Sequence, residues 1–77
     1  MVKSKLAYIM LDKNVKSVAE LARLTNISRE TLTKLYNNKK LETVSLGMLF
    51  KICDFFNCNI QDLIEYTPEP FENNKGE

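Results

Sequence analysis

The chain has 77 residues, a formal net charge of +1, 44% hydrophobic residues and no histidine. A chain of this length forms one domain with a small core, because it buries only about 60–65% of its unfolded surface on folding. No apolar run approaches the roughly 20 residues needed to span a bilayer, and the opening segment MVKSKLAYIMLDK lacks the apolar stretch and small-residue cleavage site of a signal peptide, so a cytoplasmic protein is expected.

Helical patterning dominates. Leu6, Ile9 and Met10 recur at i, i+3 and i+4, which predicts a first helix over 4–13 with one apolar face. Ser17 and Glu20 have the S-x-x-E spacing of a capping box, in which each side chain satisfies a free backbone N–H, so a second helix starts there. Val18, Leu21 and Ala22 form its inward face. It stops near Thr25, and Asn26 suits the hinge because asparagine tolerates left-handed backbone better than most non-glycine residues. Ile27 plugs the gap between helices. Ser28 caps a third helix, with Glu30 in the first turn, where the helix dipole favours an acid, and Leu32 and Leu35 facing inward. Ala22 opposite Leu32 lets the two helices approach closely.

Residues 37–43, NNKKLET, read as a polar connection, with Asn-Asn as a turn signal and Lys39 and Lys40 in solvent. Ser45 or Thr43 caps a fourth helix reaching about Phe56, whose broad apolar face comprises Leu46, Leu49, Ile52, Cys53 and Phe56. Residues 57–59 break it. Asn59, with Asp62 three residues on, caps a short fifth helix in which Ile60, Leu63 and Ile64 pack inward. Pro68 and Pro70 end regular structure, and residues 67–77 are expected to be a flexible tail. No strand pattern of useful length occurs; the one candidate pairing sets Val2 against residues near Tyr66. The expected fold is therefore all-α, a compact five-helix bundle over 1–66.

Cys53 and Cys58, five residues apart, fit no usual zinc spacing, and no other soft ligand is present. They read as small apolar residues of a reduced compartment rather than a disulfide or metal site. The charge is unevenly placed. Residues 1–51 carry ten Lys/Arg and four Asp/Glu, a net of +6, whereas residues 52–77 carry one Lys and six Asp/Glu, a net of −5. A polyanion responds to that local field rather than to the total.

The stretch SVAELARLTNISRETLTKLYN, residues 17–37, joins these signals: a capped helix, a tight Asn26 turn, Ile27, then Ser28-x-x-Thr31-Leu32. With those parts in place the chain resembles the Cro and lambda-repressor type of helix-turn-helix domain, often called the XRE family, and within it a small single-domain bacterial or phage regulator subgroup. The resemblance covers about residues 4–66. The chain departs from the pattern in two respects: the turn residue often held by glycine is Asn26, and Phe50 and Phe55 stand where polar or small residues are common.

The resemblance implies a lambda-repressor-like bundle and sequence-specific binding of double-stranded DNA, with repression by promoter occupancy the expected mode. Helix 28–37 would enter the major groove, which admits a helix and exposes distinguishable base edges. Ser28, Arg29, Glu30, Thr33 and Lys34 are then the base-reading candidates: Arg29 for guanine acceptors, Glu30 for a cytosine amine, Thr33 for a thymine methyl and Lys34 for guanine or phosphate. Ser17, Asn37, Asn38, Lys39 and Lys40 are candidates for the DNA backbone, with Lys16 and Arg23 as weaker ones. Tyr36 either reaches a phosphate or packs its ring on the neighbouring helix.

Operators are usually read by symmetric dimers, so a homodimer is expected, with Phe55, Ile64, Tyr66 and Phe71 as interface candidates; Phe55 and Ile64 serve equally well as core. No cofactor, metal, membrane or small-molecule partner is expected. No glycine-rich phosphate loop, nucleophile motif or metal cluster is present, so no enzyme activity is expected. A competing reading is a protein-interaction module or antitoxin-like partner on the same fold, supported by Phe50, Phe55 and the acidic C-terminal part.

Overall fold

A computed structural model describes residues 1–71. In chain order the elements are β1 (Val2–Ser4), α1 (Leu6–Asp12), α2 (Val18–Thr25), α3 (Arg29–Asn37), a 3-10 turn (Leu41–Thr43), α4 (Leu46–Phe56), α5 (Ile60–Leu63) and β2 (Ile64–Tyr66). The all-α expectation is thus corrected in one respect. The strands β1 and β2 pair antiparallel, with Val2 opposite Tyr66, Lys3 opposite Glu65 and Ser4 opposite Ile64. Val2 does meet Tyr66, but strands this short have too little periodicity to declare themselves in the sequence. The sheet also shortens α1, because Ser4 belongs to β1 and its hydroxyl accepts the Leu6 N–H at 3.1 Å.

The helices are delimited by a recurring chemistry. Ser17, Ser28 and Ser45 lie in extended backbone, and each hydroxyl accepts an N–H three residues on, from Glu20, Thr31 and Met48. These bonds satisfy donors that a helix N-terminus otherwise leaves free. At the other ends, Asn14, Asn26, Asn38 and Asn57 take left-handed backbone, φ between 55° and 62°. Asparagine bears that conformation at lower cost than most side chains, and here it does the work usually given to glycine. The Ser17–Glu20 pair differs slightly from a reciprocal capping box. The Glu20 carboxylate accepts the N–H of Lys16 at 2.8 Å rather than that of Ser17.

One core joins all the helices. Leu6 and Met10 from α1, Leu21 from α2, Ile27 from the turn, Leu32 and Leu35 from α3, Leu49, Ile52, Cys53 and Phe56 from α4, and Leu63 from α5 are buried together. Three expectations about facing change. Leu46 is 65% exposed, since it occupies the first position of α4 and the core begins a turn later at Leu49. Ile60 is 39% exposed, because the four-residue α5 has room for only one inward side chain, Leu63. Leu41, inside the polar connection, is buried by the 3-10 turn.

Two long-range ties close the structure. The Lys5 N–H donates to the Leu63 carbonyl at 2.7 Å, which joins the start of α1 to the end of α5. The Asn38 side chain behaves as a strand residue would. Its Oδ1 accepts the Ser4 N–H at 2.6 Å and its Nδ2 donates to the Ser4 carbonyl at 3.4 Å. No helix among the described residues is long and apolar enough to cross a membrane. Of the expected tail 67–77, residues 72–77 lie outside the described residues.

Candidate nucleic-acid interface

The geometry of α2 and α3 is set by the turn between them. Asn26 (φ 61°, ψ 27°) reverses the chain and donates its N–H to the Ala22 carbonyl at 2.8 Å. Thr25 is buried beside it. Its hydroxyl donates to the Leu21 carbonyl at 2.7 Å and accepts the Ile27 N–H at 3.2 Å, so one side chain satisfies the last turn of α2 and the first amide beyond it. Ile27 then enters the core, and Ser28 restarts the helix. With both ends of the turn tied by hydrogen bonds, the orientation of α3 on α2 does not depend on mobile loop residues. Thr25 was not singled out from the sequence; its position directly before a left-handed Asn is the signal that locates it.

Burial of Leu32 and Leu35 turns the rest of α3 outward. Ser28, Arg29, Glu30, Thr33 and Asn37 are exposed on that surface, and Lys34 is half-buried at its edge. Arg29, Glu30, Thr33, Lys34, Asn37 and Lys39 line a single shallow groove. The Lys34 ammonium donates to the Thr43 hydroxyl at 3.1 Å, and that hydroxyl donates to the Lys40 carbonyl at 2.6 Å. Lys34 is thereby held toward the loop, while Lys40 itself takes left-handed backbone (φ 53°) that leaves its side chain in solvent. Among the described residues, no acidic side chain forms a salt bridge with Lys16, Arg23, Arg29, Lys34, Lys39 or Lys40. The groove therefore carries three cations, Arg29, Lys34 and Lys39, against one acid, Glu30.

The other candidates divide. Ser17 sits at the N-terminus of α2 with its oxygen engaged as the cap. Asn38, grouped by sequence with the backbone contacts, has its amide committed to Ser4, so its side chain positions the end of α3 against β1. Tyr36 borders a hollow with Ala7, Met10, Leu11 and Val15 and so lies beside α1. Of the four interface candidates, Tyr66 and Phe71 are exposed, and Ile64 is half-buried against the core. Phe55 is 42% exposed and sets its ring edge-on to Phe56, with centroids 5.0 Å apart.

Two helices of fixed angle, joined by a capped turn, with an outward polar and basic α3, define a helix-turn-helix DNA-binding domain. Residues 5–69 match the sequence model of the Cro/C1-type HTH DNA-binding domain, and the chain belongs to that family. The comparison with curated proteins gives no match.

Proposed function

We propose that this protein is a transcriptional regulator, and specifically a repressor, that binds double-stranded DNA sequence-specifically with α3 in the major groove. The observation that carries the reading is the exposed polar and basic face of α3, held at a fixed angle by Thr25, Asn26 and Ile27, in a chain of the Cro/C1-type family. Ser28, Arg29, Glu30, Thr33 and Lys34 read bases. Arg29 has the fork geometry for guanine and Glu30 the acceptor for a cytosine amine. Ser17, Asn37, Lys39 and Lys40 contact phosphates, which supply affinity and register rather than sequence information. Asn38 contributes by holding the end of α3.

One domain of this size offers few base contacts, so the regulator acts as a homodimer on two half-sites about 34 Å apart, one helical turn of duplex. It acts by binding and not by catalysis, a reading supported by the absence of histidine from the chain. Binding selection from random duplex DNA tests the reading in one experiment. Enrichment of a symmetric pair of half-sites is expected. Failure to retain any duplex at low salt would overturn it.

A second reading draws support from helix α4. Phe50 is 52% exposed and Leu46, one turn earlier, is more so. Such side chains suit a protein partner of the regulator, as in an antitoxin-like pair. Co-purification of a partner at fixed stoichiometry, with no DNA retained, would favour it over DNA binding.

A further inference from the structure

Helix α4 ends in a double hydrogen-bonded clip. Asn57 is left-handed (φ 55°, ψ 51°) and donates its N–H to the Asp54 carbonyl at 3.3 Å, and Cys58 donates its N–H to the Cys53 carbonyl at 3.0 Å. In this Schellman arrangement the chain doubles back and brings its first and sixth residues together. Those positions are Cys53 and Cys58, the only two cysteines in the chain. Both are free thiols, Cys53 buried and Cys58 half-buried.

The backbone motif does not require cysteine. The same pair of bonds ends α1, with Asn14 donating to Leu11 and Val15 to Met10, and ends α3, with Asn38 donating to Leu35 and Lys39 to Lys34. The residues at the corresponding positions are Met10 and Val15 in the first case and Lys34 and Lys39 in the second. Only the clip of α4 has cysteine at both positions.

We propose that Cys53 and Cys58 are an oxidisable dithiol that hydrogen peroxide closes to an intrachain disulfide. Access and environment divide the roles. Cys53 lies in the core, whereas Cys58 is half-buried and borders a surface hollow with Ile9, Asp12, Lys13 and Asp62. A small peroxide therefore meets Cys58 first. Burial, and next the charge of Cys58, push the Cys53 thiol up to about 11, so Cys53 keeps its proton while its neighbour reacts.

In the first step the Cys58 sulfur attacks a peroxide oxygen. The O–O bond breaks, the thiol proton goes to the departing hydroxide as water, and Cys58 becomes a sulfenic acid. In the second step the Cys53 sulfur attacks the Cys58 sulfur. The S–O bond breaks, the Cys53 proton leaves with the hydroxyl as a second water, and the disulfide forms. Peroxide is reduced to two waters, and each sulfur loses one electron to it. A disulfide needs α-carbons within about 7 Å, and the 3.0 Å hydrogen bond from the Cys58 N–H to the Cys53 carbonyl holds the two α-carbons within that reach.

The test treats the folded, full-length protein with peroxide and reads intact mass and the number of alkylatable thiols after denaturation. The expected result is a mass lower by two hydrogens, loss of both thiols and no covalent dimer, reversed by dithiothreitol. Cys58→Ser is expected to retain its Cys53 thiol under the same treatment. Cys53→Ala is expected to stop at a Cys58 sulfenic acid trapped by dimedone. Survival of both thiols in the folded protein would overturn the proposal, as would disulfide formation only after unfolding in urea, or cross-linking between chains.

Discussion

The α2–α3 unit and the β1–Asn38–β2 shell are built by different rules. In α2–α3 the hydrogen bonds that fix the caps and the turn join residues within five of each other: Ser17 to Glu20, Thr25 to Leu21 and Ile27, Asn26 to Ala22, Ser28 to Thr31. In the shell the decisive bonds span the chain. Asn38 reaches back 34 residues to Ser4, β1 pairs with β2 at the far end, and Lys5 bonds Leu63. The comparison teaches that a reading surface and its mounting have separate demands. The surface needs a fixed angle between neighbouring helices, which short-range chemistry supplies. The mounting needs the ends of those helices held against the rest of the domain, which only distant residues supply.

The largest break comes from the shared core. Leu32 is fully buried between the two regions, and Leu32→Ala is expected to destabilise the fold by about 2–5 kcal/mol in chemical denaturation, since it leaves a cavity as well as losing apolar burial. A loss below about 1 kcal/mol would mean that α3 does not rest on this residue.

Next in size is the surface itself. Arg29→Ala is expected to weaken binding to the selected operator by about 1–3 kcal/mol and to relax the base preference at one position. An equal loss on random duplex would show that Arg29 contacts only phosphate.

Asn38→Ala then separates mounting from reading. It leaves the Ser4 N–H and carbonyl without their side-chain partners, and a loss of about 1–2 kcal/mol of stability is expected from calorimetry or denaturation. Because β1 is involved, amide exchange should speed up at Ser4 and in β2. Exchange changes confined to α3 would break the assignment of Asn38 to the mounting.

The cap of α3 sharpens the opposite side. Ser28→Ala removes the acceptor of the Thr31 N–H and is expected to cost about 1 kcal/mol, with the change in amide exchange confined to the first turn of α3. The smallest effect falls on the loop. Lys39→Ala should leave stability within about 0.5 kcal/mol of the parent and lower the slope of log affinity against log salt by about one. An unchanged salt slope would remove Lys39 from the phosphate contacts.

Much of the helix-turn-helix was legible because its information is local. Serine followed three residues on by a suitable partner, asparagine at the stops of α2, α3 and α4, and leucines at helical spacing announce caps, hinges and inward faces without reference to any other part of the chain. The exposed set Ser28, Arg29, Glu30 and Thr33 follows directly once Leu32 and Leu35 are turned inward. The reading was weakest where context decides. Leu46 and Ile60 are apolar, yet both occupy the first turn of a helix that has not reached the core. Leu41 stands among charged and polar neighbours and is buried all the same, because a 3-10 turn rolls it inward. Asn38 looked like a turn residue beside a basic loop, and it is both that and the partner of Ser4.

Caps, hinges and periodicity in this chain are therefore enough to specify the helices, the turn of the reading unit and which face of α3 meets solvent, since each depends on bonds within one turn of backbone. The strand pairing, the second task of Asn38 and the burial of Leu41 were decided by the folded structure. Each needs separate segments to be brought together, and no local preference of the residues involved encodes the partner they will meet.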